Sequence, residues 1–224
     1  MNVLEVLKDL SNIFENAGYE IFAVGGTVRD YLLKKDVTDF DFVTDATPQE
    51  IKGFLSNCDA TFEKYGIINY QLEDVKLQIA TFRIEKNYSD FRHPAEIVFV
   101  RSMEEDYLRR DFTINALYLD KDGKVYDFCH GLDDLNQKKI RMIGNADERI
   151  KEDPLRILRG IRFAHSLKFE IDDDLSKAMK VNFNLLKKIN SQKILEEIRK
   201  MNINLYEDNK GFREFIITLL SNFH

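Results

Sequence analysis

The chain has 224 residues, a formal net charge of −6 and a hydrophobic fraction of 44%. This length can bury a substantial core and form one large or two small domains. The composition is ordinary for a soluble protein, and no apolar run approaches the roughly 18–20 residues of a membrane span. Cys58 and Cys129 lie far apart and match no metal-ligand spacing, which favours reduced, buried thiols in a cytoplasmic protein.

Charge is distributed unevenly along the chain. From residue 138 onward there are 18 Lys and Arg against 13 Asp and Glu, whereas the first 137 residues hold 15 against 26. An acidic front half suits a metal site, and a mildly basic back half suits the phosphate backbone of a nucleic acid. A solvated helical surface would produce the same counts, so the pattern supports such a partner without identifying it.

Residues 3–17 have apolar side chains at helical spacing with acids among them, which predicts an amphipathic helix ended by Gly18 and not a signal peptide. The next run, 21–24, predicts a short buried strand. Gly25 and Gly26 follow it and open a helix. A strand, a glycine turn and a helix start can form a phosphate cradle, because bare backbone N–H groups there point at an anion.

Charged side chains follow the glycine turn at two places. Arg29 lies in the first helical turn and adds a fixed fork of donors. Asp39 and Asp41 lie in a strand-like run, so alternation places them on one face about 6–7 Å apart, with Phe40 and Phe42 facing inward. Paired carboxylates beside a phosphate cradle are typical ligands of Mg²⁺ in a nucleotide site. Each motif alone is compatible with an ordinary turn or strand edge, and their combination favours the functional interpretation.

Regular elements continue along the rest of the chain. The predicted elements of the front half are a helix opened by the capping box 47–50, two strands within 67–83, a loop over 84–94, a strand at 97–100, a helix over 103–111, a strand over 114–120 and a hairpin turn at 122–123. From about residue 146 the pattern is wholly helical. We therefore predict an α/β (α+β) domain with a small mixed sheet over residues 1–145, and an all-α extension without strands over residues 146–224.

Two further charged motifs have both a structural and a functional interpretation. The run 109–111, Arg-Arg-Asp, ends a predicted helix, where arginines complement the helix dipole. Asp153 precedes Pro154 at a helix start and is suited to N-capping. With Arg156 three residues later on the same helix, Asp153 would also present acceptors beside donors. That pattern matches the exocyclic amine and ring nitrogen of cytosine or adenine and rejects uracil and guanine.

These motifs resemble the signatures of one family. They are GGTVRDYLLKKDVTDFDFVT from residue 25, RRDFTINA from residue 109 and EDPLRILR from residue 152. They are similar to motifs of the class II tRNA nucleotidyltransferases, the CCA-adding enzymes, whose head is shared with bacterial poly(A) polymerases in the polymerase β-like nucleotidyltransferase superfamily. The resemblance spans roughly residues 20–200. It implies a nucleotidyltransferase head followed by a helical neck.

The resemblance also implies roles for individual residues. Asp39 and Asp41 would be catalytic and would hold Mg²⁺, while Asp111 would bind the ribose of the incoming nucleotide. Asp153 and Arg156 would select the base. The other residues implied in nucleotide binding are Gly25, Gly26, Arg29 and Arg110 at the triphosphate, and Arg159 and Arg162 toward triphosphate or tRNA.

Two residues and one segment bear further on the expected reaction. Many family members have glutamate where this chain has Gln78, which keeps the size and loses the charge, so the departure bears on the rate more than on the reaction class. The segment 84–94 corresponds to a family loop needed to add the terminal A, which favours full CCA addition. Asn115 would either support the nucleotide site or serve a structural turn.

The implied reaction transfers nucleotides from CTP and ATP to the 3′ end of tRNA, without a nucleic-acid template, with Mg²⁺ and with release of pyrophosphate. The alternatives are a bacterial poly(A) polymerase, a CC-only or A-only adding enzyme, and a non-catalytic tRNA-binding module. Family chains usually continue into a further helical body. We therefore expect this chain to be a fragment, a minimal form or one part of a split enzyme that lacks the body domain or receives it from a second chain.

Overall fold

The computed structural model describes residues 2–88 and 94–201. Within these ranges the chain forms two compact units, one built from residues 2–87 and 94–137 and the other from residues 138–201. In the part of the chain that is described, no helix is both long enough and apolar enough to cross a membrane.

The first unit is a mixed sheet with helices packed on it. Its strands are β1 (Ile21–Val24), β2 (Phe40–Thr44), β3 (Ile67–Leu72), β4 (Val75–Thr81), β5 (Arg83–Tyr88), β6 (Pro94–Phe99), β7 (Leu117–Leu119) and β8 (Val125–Asp127). Its helices are α1 (Val3–Asn16), α2 (Gly26–Leu32), α3 (Pro48–Phe54), α4 (Met103–Asp106) and α5 (Gly131–Asn136). The main sheet has the order β3-β4-β2-β1-β7-β8, and β5 pairs with β6 in a separate ladder. Only β2 and β4 run parallel within the main sheet, among the pairs described.

One face of the sheet carries a buried cluster of large side chains. Phe22 of β1 lies opposite Val43 of β2, and Val24 of β1 lies opposite Tyr118 of β7. These four side chains pack together with Phe82, and all five are at most 5% exposed. Because cross-strand partners share a face, this cluster fixes which side of β2 each residue occupies.

The alternation of β2 follows from that register. Asp41 lies two residues before Val43 and therefore on the same face, whereas Phe40 and Phe42 point to the opposite face and are buried there. Helix α1 covers β1 with an apolar side that includes Phe14, whose ring meets the ring of Phe54 of α3 at 5.0 Å. Both faces of β2 are thus covered by packing, and Asp41 lies at the edge of the covered area.

Several predicted elements of the first unit are confirmed. Helix α1 spans almost the predicted range and is followed by Gly18 with φ +86°. Thr47 and Glu50 form the predicted capping box at the start of α3. Strands β3 and β4 occupy the predicted strand pair, and Gly123 with φ +84° lies in the turn between β7 and β8.

The prediction of a loop over 84–94 was wrong for its first part. Residues 84–88 belong to β5, while residues 89–93 lie outside the described residues. The described side chains at 83–86 are half-buried or exposed. A strand without a fully buried face lacks the apolar alternation from which strands are predicted, which explains the error.

The segment before β7 also differs from its prediction. The helix predicted over 103–111 ends earlier, with a 3-10 turn at Tyr107–Arg109, and Arg110 has an extended backbone. The strand predicted from residue 114 begins at Leu117, because a 3-10 turn occupies Thr113–Asn115. The side chains of that turn make buried polar contacts that a strand ladder would not permit.

The second unit is mainly helical. Its helices are α6 (Ala146–Glu152), α7 (Leu155–Leu167), α8 (Asp173–Asn182) and α9 (Ser191–Lys200). Asn182 donates to Asp147 at 2.7 Å and ties α8 to α6, while Arg162 of α7 pairs with Glu197 of α9 at 3.0 Å. Two short strands, β9 (Lys139–Ile140) and β10 (Glu170–Ile171), pair in parallel.

The pairing of β9 with β10 corrects two expectations. The back half is not free of strands, since β10 lies between α7 and α8. The second unit also begins at residue 138, ahead of the boundary near 146, because β9 joins the helices through β10. Two-residue strands carry too little apolar periodicity to be predicted from sequence.

Gly131 offers a test of the packing beneath the 3-10 turn. A Cβ there would lie 2.3 Å from the carbonyl oxygen of Thr113, whereas a Cβ at Gly53, inside α3, would meet nothing within 4 Å. We expect Gly131→Ala to lower the thermal unfolding midpoint by several degrees, as overpacking by about 1–3 kcal/mol would. Gly53→Ala should raise it slightly, since alanine favours a helix by about 0.5–1 kcal/mol. Equal midpoints for the two variants would contradict this packing.

Candidate functional site

The candidate site is built around the bend that joins β1 to α2. Gly25 has φ +69° and ψ −131°, a backbone conformation that residues other than glycine rarely adopt. Thr27, in the first turn of α2, is 1% exposed. Its hydroxyl donates to the carbonyl oxygen of Asp39 at 2.9 Å and accepts from the backbone N–H of Asp41 at 2.8 Å. One side chain therefore fixes the bend to the backbone of both acids.

Asp41 faces the bend directly. A Cβ placed on Gly25 would lie 4.0 Å from Oδ2 of Asp41, an ordinary van der Waals distance, so the carboxylate lies next to the bend. Burial, and next the charge of Asp39, raise the pKa of Asp41, while Arg110 and Arg29 offset part of the effect. Asp39 itself lies just before β2 and is exposed, which corrects the expectation that both acids belong to the strand.

A chain of hydrogen bonds joins the bend to the second motif. Arg29 is 8% exposed and donates to both carboxylate oxygens of Asp30 at 2.9 and 2.7 Å, and to Asn115 at 2.7 Å. Asn115 in turn donates to Asp111 at 3.4 Å. Asn115 thus bridges the arginine expected at the triphosphate and the acid expected at the ribose, although the sequence left its role open.

Arg110 is held by a second set of contacts. Its guanidinium lies 5.1 Å above the ring of Tyr118 and donates to the phenolic oxygen at 3.1 Å and to the carboxylate of Asp106 at 2.7 Å. Asp106 is fully buried and did not emerge from the sequence, because nothing distinguishes it from the neighbouring acids Glu104 and Glu105. Arg29 and Arg110, both expected at the triphosphate, each lower the pKa of Asp41. Each is also paired with an acid, Arg29 with Asp30 and Arg110 with Asp106.

Gln78 lies next to Asp41 in the sheet. The parallel register of β2 and β4 pairs Asp41 with Gln78, and the antiparallel register of β3 and β4 pairs Gln78 with Asn69. The three residues line a recess of about 670 Å³ together with Asp39, Asp59 and others. Asn69 and Asp59 were missed by sequence reasoning, since neither belongs to a motif and they reach Asp41 only through the pairing of β4 with β2.

The donor set fits a cation that keeps most of its water. In the described residues there is no group of three or more His, Cys, Asp or Glu side chains that could enclose a metal ion. Two carboxylates beside an open glycine bend suit Mg²⁺, which retains waters and substrate oxygens and is bound by one or two protein carboxylates. The same set does not suit zinc, which prefers an enclosed site with nitrogen or sulfur ligands.

The base-selecting residues have a different geometry from the one predicted. Asp153 does not lie on the same helix as Arg156, because Pro154 interrupts the helical run between α6 and α7. Its carboxylate accepts from the backbone N–H of Leu155 at 3.0 Å, as an N-cap would. Arg156 is 5% exposed and donates to Glu152 at 2.7 Å. Their assignment to the base remains a prediction.

Arg159 and Arg162 are near neighbours on α7. Both guanidinium groups lie over the ring of Phe163, at 5.7 and 4.2 Å. Arg162 also pairs with Glu197, whose pKa lies below its usual value because the charges of Lys200 and Arg162 outweigh its burial. The structure thus gives Arg162 a role in joining α7 to α9, and a contact with nucleotide remains a prediction for both arginines.

The fold and the position of the acids define a polymerase β-like nucleotidyltransferase head with a mixed α/β structure. Residues 21–141 match the family described as the Poly A polymerase head domain, and the chain belongs to this family. The CCA-adding enzyme of Streptococcus uberis is 44% identical over 198 residues, which are 88% of this chain and 48% of that enzyme.

Solved structures give the same picture. The CCA-adding enzyme of Bacillus stearothermophilus in complex with CTP has a TM-score of 0.79 and 30% identity, over 89% of this chain and 47% of that one. The CCA-adding enzyme of Thermotoga maritima complexed with tRNA has a TM-score of 0.73 and 25% identity, over 99% of this chain and 50% of that one. The chain thus spans about half the length of the relatives that it matches.

The environment of Asp41 predicts that ionisation of its carboxyl lowers the stability of the fold. Because the pKa of Asp41 is raised in the folded state, ionisation of its carboxyl favours unfolding. This destabilisation is absent below the unfolded-state pKa and is complete above the folded-state pKa. We expect Asp41→Asn to raise the thermal unfolding midpoint at pH 8 in EDTA, with a gain that shrinks as the pH falls toward 4. Asp36→Asn, an exposed position in the same loop, is the control and should change little. A lower midpoint for Asp41→Asn at pH 8 would contradict this electrostatic account.

Proposed function

We propose that this chain is the catalytic head and the neck of a CCA-adding tRNA nucleotidyltransferase, which transfers CMP and AMP from CTP and ATP to the 3′ end of tRNA and releases pyrophosphate. The observation that carries the proposal is the carboxylate of Asp41 beside the open bend at Gly25, in a chain of the Poly A polymerase head-domain family. The names of the relatives, and their complexes with CTP and tRNA, support these substrates.

Asp39 and Asp41 are the residues that hold Mg²⁺ in this proposal. When bound there, the ion lowers the pKa of the attacking 3′-hydroxyl and neutralises charge on the pyrophosphate. Asp41 is suited to the task because its position is set by the strand and by Thr27, while Asp39 lies at the open end of β2. The repulsion between the two acids is an unfavourable interaction that a cation relieves.

The triphosphate would lie beside the bend, where the positive charges of Arg29 and Arg110 act on Asp41. Each guanidinium is already oriented by a carboxylate, so little conformational entropy is lost when an anion binds. Asp111 is nearly buried and would accept from a ribose hydroxyl, with Asn115 holding its carboxylate in place. A site built in this way would favour ribonucleotides.

Base selection is assigned to the second unit. Asp153 would accept from the exocyclic amine of cytosine or adenine, and Arg156 would donate to the adjacent ring nitrogen. Glu152 holds the guanidinium of Arg156, which favours a fixed orientation. Arg159 and Arg162 would supply positive charge toward triphosphate or tRNA. We further propose that the reaction takes place in the cytoplasm, where tRNA, CTP and ATP are available.

An incorporation assay tests this proposal. The chain is incubated with Mg²⁺ and a tRNA that lacks CCA, and CTP and ATP are supplied singly and together. We expect two nucleotides to be added with CTP alone and three with both, followed by a stop. Asp39→Asn and Asp41→Asn should each lose at least about 100-fold in rate, since the metal contributes several kcal/mol to the transition state. Asp36→Asn removes a charge from the same loop and should leave the rate unchanged.

The products also separate the alternatives. A long A tail would assign the chain to the poly(A) polymerases, and a stop after two cytidines with both nucleotides present would assign it to the CC-only enzymes. Addition of A only to a tRNA that already ends in CC would indicate an A-adding enzyme. The proposal is contradicted if the two aspartate variants are as active as the unaltered chain.

A further inference from the structure

Asp106 is a fully buried carboxylate at the end of α4 that the proposed mechanism does not use. Its Oδ1 accepts from the side chain of Arg109 at 2.9 Å and from the backbone N–H of Arg83 at 3.1 Å. Its Oδ2 accepts from two nitrogens of Arg110 at 3.0 and 2.7 Å, and from the hydroxyl of Tyr118 at 2.9 Å. Both oxygens are therefore surrounded by donors.

Within the part of the chain that is described, these partners stabilise the charge of Asp106. Burial opposes its ionisation, but the charges of Arg109 and Arg110 hold the pKa of Asp106 below its usual range. In return, Asp106 keeps Arg110 protonated despite burial. A buried ion pair is a poor source of stability, because apolar residues of similar volume often stabilise a core as well or better. Its presence here calls for a role that an apolar contact could not fill.

The geometry of Arg110 suggests that role. The guanidinium is held by Asp106 through two nitrogens, lies over the ring of Tyr118 and exerts its charge on Asp41. An arginine has several rotatable bonds, and its direction is determined only by what holds its head. Among the contacts described, Asp106 and Tyr118 hold this head from the side of the protein.

We propose that Asp106 is a positioning residue that fixes the guanidinium of Arg110 beside Asp41 and thereby sets the affinity for the triphosphate of the incoming nucleotide. This inference rests on the proposed function, in which Arg110 contacts that triphosphate. Tyr118 assists, since its hydroxyl donates to the same oxygen of Asp106 and accepts from Arg110. Asp106 itself does not touch the nucleotide.

A double-mutant cycle tests the proposal. The equilibrium affinity for CTP is measured by calorimetry in Mg²⁺ for the unaltered chain, Asp106→Asn, Arg110→Gln and the double variant. An amide cannot satisfy both groups of donors, so we expect Asp106→Asn to weaken CTP binding about 5-fold and Arg110→Gln about 10-fold, the size of one charge-assisted hydrogen bond. The double variant should bind no more weakly than Arg110→Gln. Glu85→Gln removes a carboxylate that also pairs with Arg109 and should stay within about 2-fold.

The outcomes distinguish this inference from the proposed function. Losses that multiply in the double variant, or an effect of Asp106→Asn no larger than that of Glu85→Gln, would overturn the role of Asp106 while leaving Arg110 at the triphosphate. If Arg110→Gln leaves CTP affinity unchanged, the assignment of Arg110 fails and the inference fails with it.

A milder variant covers the case in which Asp106→Asn does not fold. Tyr118→Phe removes one hydrogen bond onto Asp106 and keeps the buried ring. We expect it to weaken CTP binding about 2- to 3-fold in the unaltered chain and not at all in the Arg110→Gln background. Equal effects in the two backgrounds would overturn the inference.

Discussion

The hydroxyl of Thr27 makes the contact on which the candidate site depends. It donates to the carbonyl of Asp39 and accepts from the backbone N–H of Asp41, and it is shielded from water. The start of α2 and the start of β2 therefore cannot move independently. Because an unpaired buried carbonyl or N–H costs about 1–3 kcal/mol, this single side chain specifies the register between the glycine bend and the acids.

A second constraint is electrostatic. Four of the five arginines expected to bind nucleotide or tRNA form ion pairs with carboxylates, namely Arg29–Asp30, Arg110–Asp106, Arg156–Glu152 and Arg162–Glu197. Each pair places a carboxylate beside its arginine and thereby fixes the direction of the guanidinium. A preorganised donor needs little rearrangement when an anion arrives, which is the usual basis of strong electrostatic stabilisation in active sites.

The local parts of the site could be predicted from the sequence because each depends on neighbours along the chain. The glycine bend, the order of Asp39 and Asp41, and the capping box at Thr47 all lie within a few residues of what determines them. Alternation along the strand correctly placed Asp41 on the face opposite to Phe40 and Phe42. The family was predicted from the same local motifs.

The long-range parts could not be predicted in this way. The nearby arginines Arg109 and Arg110 do not show from sequence that Asp106, and not Glu105, enters the core, because its carboxylate also depends on Tyr118 of β7. Asn115 has its partner Arg29 far away in sequence. The capping role of Asp153 was predicted from Pro154 and is observed at the start of α7, whereas its place on the same helix as Arg156 was wrong because α7 begins only at Leu155.

The central claim is that Asp39 and Asp41 jointly bind a divalent cation at the glycine bend. The most direct measurement is the anomalous diffraction of Mn²⁺ in crystals of this chain grown with CTP. The account predicts one strong peak within about 2–2.5 Å of a carboxylate oxygen of each acid, on the side of Gly25. A peak bound elsewhere in the recess, or by only one of the two acids, would contradict it.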